Sequence, residues 1–188
     1  MKLLLPSILA LALSASAYAA PETFVIDNNH TFEHFSYNHL GFSTQQSRFN
    51  TTSGEVVLDS AAKTGSVDLV IDMKSVDTGS KLFNQHIQDE EFFDTAKYPS
   101  ATFKSTSVKF DGDKPVAVAG NLTIKGVTKP VTLTVTGFQH GMNPIMKHEA
   151  IGANATTVVK RSEFNMGKYV PYVGDDVTIT VSIEAFKK

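Results

Sequence analysis

Apolar and polar residues alternate one by one through long stretches of this chain of 188 residues, and that rhythm suits one kind of backbone. Successive side chains of a β-strand point to opposite faces, so alternation marks a strand with one buried and one wet side. The C-terminal run shows it best: Val177, Ile179, Val181 and Ile183 share one side, and Thr178, Thr180, Ser182 and Glu184 the other. Val67, Leu69, Ile71 and Met73 likewise oppose Asp68, Asp72 and Lys74, while Leu122 and Ile124 oppose Asn121, Thr123 and Lys125. Val131, Leu133 and Val135 oppose three threonines, Thr132, Thr134 and Thr136. Shorter strand candidates lie at 23–27, 54–59, 101–110, 116–120 and 154–161. Turn residues separate them at Gly65, Asp111-Gly112-Asp113, Lys125-Gly126, Gly137 and Val173-Gly174-Asp175. Many short strands at this spacing predict a single all-β domain, a sandwich or a barrel.

Two stretches break the rhythm. Residues 79–98 carry Leu82, Phe83 and Ile87, then Phe92 and Phe93, with Asp89, Glu90 and Glu91 ahead of the second cluster. This predicts one or two short helices ended by Pro99, with the acids at a helix start, where the macrodipole favours them. Residues 30–42 are aromatic and rich in histidine but not periodic, and read as irregular. The first 19 residues have the plan of a secretory signal: Lys2, an apolar run from Leu3 to Leu13, and Ala17-Tyr18-Ala19 before a cleavage point at Ala20. The expected domain is therefore 20–188. The apolar run is shorter than the ~20 residues of a membrane span, so no integral membrane protein is expected.

The formal charge of −2 offers no basic excess for nucleic acid. The absence of cysteine removes disulfides, thiolate metal sites and thiol nucleophiles. No G-x-S-x-G, H-E-x-x-H, P-loop or dinucleotide fingerprint occurs, so neither an enzyme nor a cofactor is expected. His30, His34 and His39 lie close in sequence, but the segment is poorly helical and Glu33 is the one carboxylate among them, so loop histidines are favoured over a metal site. Arg161, one of two arginines, has a planar fork that suits a phosphate or quinone-type head group. It equally suits a structural carboxylate such as Glu163 or Asp94. The strands supply mainly Val, Leu and Ile, while six phenylalanines lie in the two irregular segments. From the residues alone these either line the mouth of a pocket or plug a barrel, and plugging is favoured.

The runs Glu91-Phe92-Phe93-Asp94, Tyr98-Pro99 and Ala101-Thr102-Phe103-Lys104-Ser105-Thr106 resemble the F-F-D…Y-P…F-x-S-T signature of the YceI-like family of bacterial polyisoprenoid-binding proteins. Gly120-Asn121-Leu122-Thr123-Ile124-Lys125-Gly126, continuing to Pro130-Val131, is similar to that family's G-x-L-T-I-x-G-x-T-x-P-V, and Arg161 to Met166 to its R-S-D-F-G-M. The resemblance implies a closed, antiparallel, eight-stranded, lipocalin-like barrel with a short helical insertion. It further implies a periplasmic carrier of an isoprenoid or quinone-like lipid held in the interior.

On that resemblance the pocket would be lined by Phe32, Phe35 and Phe42 from the first irregular segment and by Phe83, Ile87, Phe92 and Phe93 from the second. The strands would add Leu69, Ile71, Leu122, Ile124, Leu133 and Val135, and the R-S-E-F run Phe164. His86 and Arg161 would face the head group. The segment Leu82 to Ile87 keeps the family's histidine without its charged pair, and Asn165 stands where the family has glycine. Two alternatives remain open, a structural or interaction protein with a filled barrel and a small outer-membrane barrel. The lack of Trp and the charged face of Asp68, Asp72 and Lys74 count against the second. A homodimer is also left open.

Overall fold

The computed structural model describes residues 20–188, and the expected signal segment lies outside the described residues. Among these residues there are eleven strands: β1 (Glu22–Ile26), β2 (Phe32–His39), β3 (Ser43–Phe49), β4 (Thr52–Asp59), β5 (Thr64–Asp72), β6 (Val76–Asp77), β7 (Ser100–Asp111), β8 (Lys114–Ile124), β9 (Val127–Met142), β10 (Glu149–Lys160) and β11 (Asp176–Lys187). The single α-helix among them is α1 (Lys81–His86). Eight strands close a ring in the order β1-β4-β5-β7-β8-β9-β10-β11, with β11 paired back to β1, and all neighbours are antiparallel. This is the closed eight-stranded barrel that the resemblance implied, and one of the two architectures that the alternation allowed. Closure leaves the ring without free edges.

The alternating residues face as their pattern requires. Leu69, Ile71, Leu122, Val177 and Val181 are buried, while Asp68, Lys104, Thr132 and Thr134 are exposed on the outer surface. Apolar inside and polar outside is the reverse of a barrel that faces lipid. Lys125 and Gly126 both have positive φ, 48° and 74°. That is the twist a two-residue hairpin between β8 and β9 requires, and the ring of Tyr98 packs where a side chain at 126 would stand.

Three ring strands are interrupted at one level, and the next strand carries the wall onward. After β1 the chain bends through Asp27–Thr31, and β2 then pairs with β11 through Glu33↔Val181. β3 precedes β4 across Asn50 and Thr51, and β6 follows β5 after a 3-10 turn at Met73–Ser75. Side chains replace the missing backbone ladder at each break. The Thr31 hydroxyl donates to Glu184 O (3.1 Å) and accepts from Glu184 N–H (3.2 Å). The Ser75 hydroxyl accepts from Asn50 and Thr51 N–H (3.1 and 3.0 Å), and Asn28 Oδ1 accepts from Thr52 N–H (2.7 Å). We call this level the waist. Above it the wall is β11-β2-β3-β6, and α1 with the turns after it fills the remaining side.

Two expectations need correction. Residues 32–39 form a regular strand, not an irregular segment. Asp89–Glu91 do not start a helix: α1 is capped by Ser80 and ends at His86. The acids lie in turns, where the Asp89 carbonyl accepts from Phe92 and Asp94 N–H (2.9 and 3.0 Å).

Candidate functional site

Inward-facing residues of β2 climb from the waist to the top of the barrel in the order Glu33, Phe35, Tyr37, His39, a distance of ~20 Å at the usual rise per residue. Beside them is a cavity of about 300 Å³. Its wall includes Phe35, Phe49, Ile71, Leu122, Val177 and Ile179, and its roof is Phe83, Ile87, Phe92 and Phe93 of the 81–99 insertion. Phe93 anchors the roof. Its ring lies 5.9 Å from Phe35 and 5.6 Å from Phe49, and those two lie 5.5 Å apart. Phe83 and Phe92 are half-buried and meet through His86, whose ring is 4.9 Å from Phe92.

Below the waist the interior is nearly filled. A second cavity of about 80 Å³ remains, bordered by Leu69, Val118, Leu133, Val135 and Ile151. The expected lining residues therefore divide. Phe35, Ile71, Phe83, Ile87, Phe92, Phe93, Leu122 and Ile124 meet at the upper cavity, and Leu69, Leu133 and Val135 at the lower one. Three lie elsewhere. Phe42 is 90% exposed at the tip of the β2–β3 hairpin. Phe32 points outward beneath the Arg48 guanidinium, 4.7 Å from its ring centre. Phe164 is buried in the packed core beside the cavity, because its 3-10 turn (Arg161–Phe164) points it inward.

Arg161 borders the upper cavity, and four of its five N–H groups are engaged by backbone carbonyls. Nε donates to Gly174 O (2.8 Å), Nη2 to Val173 O (2.8 Å) and Nη1 to Lys168 O (2.8 Å) and to Met166 O. Four carbonyls of one loop hold the guanidinium, in place of the carboxylate of Glu163 or Asp94 that was one expectation for it. Asn165 adopts the left-handed conformation, φ 59° and ψ 33°, that closes this turn in place of glycine. The loop is tied to the β2–β3 hairpin by Leu40 N–H to Tyr172 O (3.1 Å) and Gly174 N–H to Asn38 O (2.8 Å). Lys168 pairs with Glu91 of the insertion. Lys125 Nζ donates to Glu90 O (2.6 Å) and Asn165 O (3.1 Å). Two lysines thus join the insertion to the 161–174 loop, Arg161 holds that loop from within, and backbone hydrogen bonds join it to the hairpin. Lys125 and Lys168 carried no sequence signal for this role, since their partners are distant in the chain.

His30, His34 and His39 do not come together at one point. His30 pairs with Asp27 at 2.6 Å, His34 is exposed on the outer face and His39 stands at the rim. At the other end of the barrel His140 bonds Glu149 (2.9 Å), and Lys187 Nζ bridges Glu149 (2.7 Å) and Glu22 (2.5 Å). The lysine balances one of the two carboxylates.

Glu33 is the residue the sequence did not mark for the pocket. It borders the upper cavity and is 92% buried. Its Oε2 accepts from the Thr52 hydroxyl at 2.5 Å, while Oε1 is buried without a partner. Burial pushes its pKa above the ordinary carboxylate value, and the Thr52 hydrogen bond opposes the shift only in part.

Comparison with known proteins agrees with this geometry. The model of the YceI-like domain family matches residues 24–185. A UPF0312 protein of Pectobacterium atrosepticum is 34% identical over 98% of this chain and 95% of its own length. Protein YceI of Escherichia coli O157:H7 is 35% identical over 93% of this chain and 91% of its own. Burkholderia cenocepacia BcnA superposes with a TM-score of 0.71 at 29% identity, covering 85% of this chain and 99% of that structure. A polyisoprenoid-binding domain from Saccharophagus degradans shares the fold with a TM-score of 0.66 at 19% identity, over 88% of this chain and 98% of its own.

Proposed function

Because the chain belongs to the YceI-like family, we propose that it is a binding protein which takes one isoprenoid or quinone-like amphiphile into the upper cavity and carries it. The observation behind this reading is the cavity, about 300 Å³ and walled by aliphatic and aromatic side chains. That volume is at the lower end of the range for small-molecule pockets. Each methylene withdrawn from water contributes ~0.8 kcal/mol, so a dozen give roughly 10 kcal/mol against an association cost of ~4 kcal/mol or more. Only a ligand with a long apolar part gains enough. A polyisoprenoid-binding domain built on the same barrel supports the reading.

Binding, not catalysis, is the role that suits the polar groups at the rim. Arg161 holds backbone carbonyls, Lys168 holds Glu91, and His86 lies 3.2 Å from Asp89. We further infer that residues 1–19 direct export and that the carrier works in the periplasm, on the strength of Lys2, the leucine-rich run and Ala17-Tyr18-Ala19.

Native mass spectrometry of protein from an osmotic-shock extract tests the proposal. A lipid-sized adduct that is lost on denaturation is the expected result. Protein that stays free of adduct after incubation with vesicles containing a long-chain isoprenoid quinone would overturn it.

A further inference from the structure

We infer that Glu33 makes the inner end of the upper cavity a recognition point for an uncharged hydroxyl group, so that the carrier selects isoprenoid alcohols over hydrocarbons and phosphate esters. The inference rests on the carrier reading above and deepens it.

The cavity is apolar from Phe35 upward, and a carboxyl at its floor is costly there. A buried polar atom without a partner forfeits the hydrogen bond it had in water. Glu33 has one such atom, Oε1, while Thr52 serves the other. Both groups are held from several sides. Glu33 lies between its strand neighbours Phe49 and Val181, and Thr52, 2% exposed, is fixed by Asn28 and by pairing with Ile71. Oε1 therefore has little freedom to seek water.

A hydroxyl can satisfy Glu33 in either protonation state, donating to the carboxylate or accepting from the acid. A hydrocarbon satisfies neither. A phosphate or carboxylate would place a second negative group against Glu33, and the cations bordering the cavity, Arg161 and Lys168, are already engaged. The position of Glu33 matters as much as its chemistry. Val181, its partner on β11, borders the lower cavity, so Glu33 stands between the two. A chain that continued downward past it would lay methylenes against a carboxyl. The polar end of the guest consequently lodges at the waist, and its tail runs towards the rim.

Displacement of the neutral fluorophore N-phenyl-1-naphthylamine from the full chain tests this with geranylgeraniol, geranylgeranyl monophosphate and squalene as competitors. The wild type is expected to bind the alcohol about tenfold more tightly than the other two, the difference of one well-made hydrogen bond in an apolar site. Glu33→Val should lose the preference of alcohol over hydrocarbon. Glu33→Gln, which keeps the shape and an acceptor for Thr52, should keep that preference and bind the phosphate more tightly than the wild type does. Equal affinities for all three competitors, unchanged in both variants, would overturn the role of Glu33 and leave the carrier reading standing. If no competitor displaces the fluorophore, and the fluorophore itself does not bind, the carrier reading fails and this inference with it.

Discussion

Phe92 and Phe93 are neighbours in sequence with different duties, and separating them tests the reading of the insertion as a roof. Phe93 is 9% exposed and packs edge-on against Phe35 and Phe49. Phe→Ala in a core costs ~3–5 kcal/mol, and the lower half of that range applies because this ring borders the cavity on one side. At ~2–4 °C per kcal/mol for a domain of this size, Phe93→Ala should lower Tm by roughly 6–16 °C. Phe83 and Phe92 are half-buried and touch His86, with Tyr169 6.4 Å beyond Phe92. Changing both to Ala removes aromatic contacts of ~0.5–1.5 kcal/mol each, a total of about 2 kcal/mol and a fall of only ~4–8 °C. Their larger effect should be on the guest, with affinity for N-phenyl-1-naphthylamine down about tenfold or more. Thermal denaturation and fluorophore titration on the same samples decide the matter. If the double variant loses as much stability as Phe93→Ala and keeps full affinity, the insertion is a core plug and the roof reading is wrong.

Arg161→Lys should loosen the 161–174 loop, because an ammonium cannot reach four carbonyls in the plane of the fork. We expect about 2 kcal/mol of lost stability and new proteolytic cleavage within 167–174; an unchanged digestion pattern would count against the staple. Glu33 should leave a signature in pH. Burial raises its folded pKa above the ordinary glutamate value, so its stabilising contribution is complete below the ordinary value and is lost as pH rises through the folded pKa. Glu33→Gln should therefore be more stable than the wild type near neutral pH, with the difference vanishing below about pH 4.5; parallel profiles in chemical denaturation from pH 4 to 8 would contradict this. Protein released by osmotic shock should begin at Ala20, and full-length chain in the cytosol would remove the export proposal.

The sequence revealed its strands wherever one face meets a packed interior. Val177 to Ile183 and Val131 to Val135 were legible because their inner residues are uniformly aliphatic and their outer residues polar. β2 was not, although it is as regular. Its inner face is Glu33, Phe35, Tyr37 and His39 and its outer face begins with Phe32, so neither face keeps to one class. The reason lies in the particular residues: the inner face carries a carboxyl, a phenol and an imidazole along the upper cavity, while the Phe32 ring on the outer face is covered by the Arg48 guanidinium. β3 was hidden for a different reason: its Ser43 to Gln46 are exposed on both faces and carry no apolar signal. The bulge at Ser105–Ser107 that shifts β7 against β8 was equally hidden among small polar residues. Arg161 was legible as important, but nothing local shows that its protein partners are the carbonyls of residues 166–174 and not a carboxylate.

The position of the cavity follows from the breaks in the wall. Below the waist, β1, β4 and β5 close the ring with β7 to β11, and inward residues such as Phe24, Leu69 and Ile151 meet across it. Phe103 is buried in the core, paired with Leu69 and Leu122. A Cβ on Gly120 would come within 2.6 Å of its ring, so glycine there leaves room for the ring. Glu33, bonded to Thr52, stands at the inner end of the upper cavity. Above the waist the wall passes to β2, β3 and β6, and the gap beside β6 is spanned by a segment with one short helix and a series of turns. Such a segment follows the shape of what it covers more readily than a strand does, because few ladder bonds fix it. On the carrier proposal the guest would enter and leave by the rim, above Glu33. Its retention would then depend on the two lysine ties between the insertion and the 161–174 loop, Lys125 and Lys168, half-exposed contacts worth ~1 kcal/mol or less each, while Arg161 holds that loop in shape from within. Weak ties at the opening combined with a firm floor would provide for both holding and release.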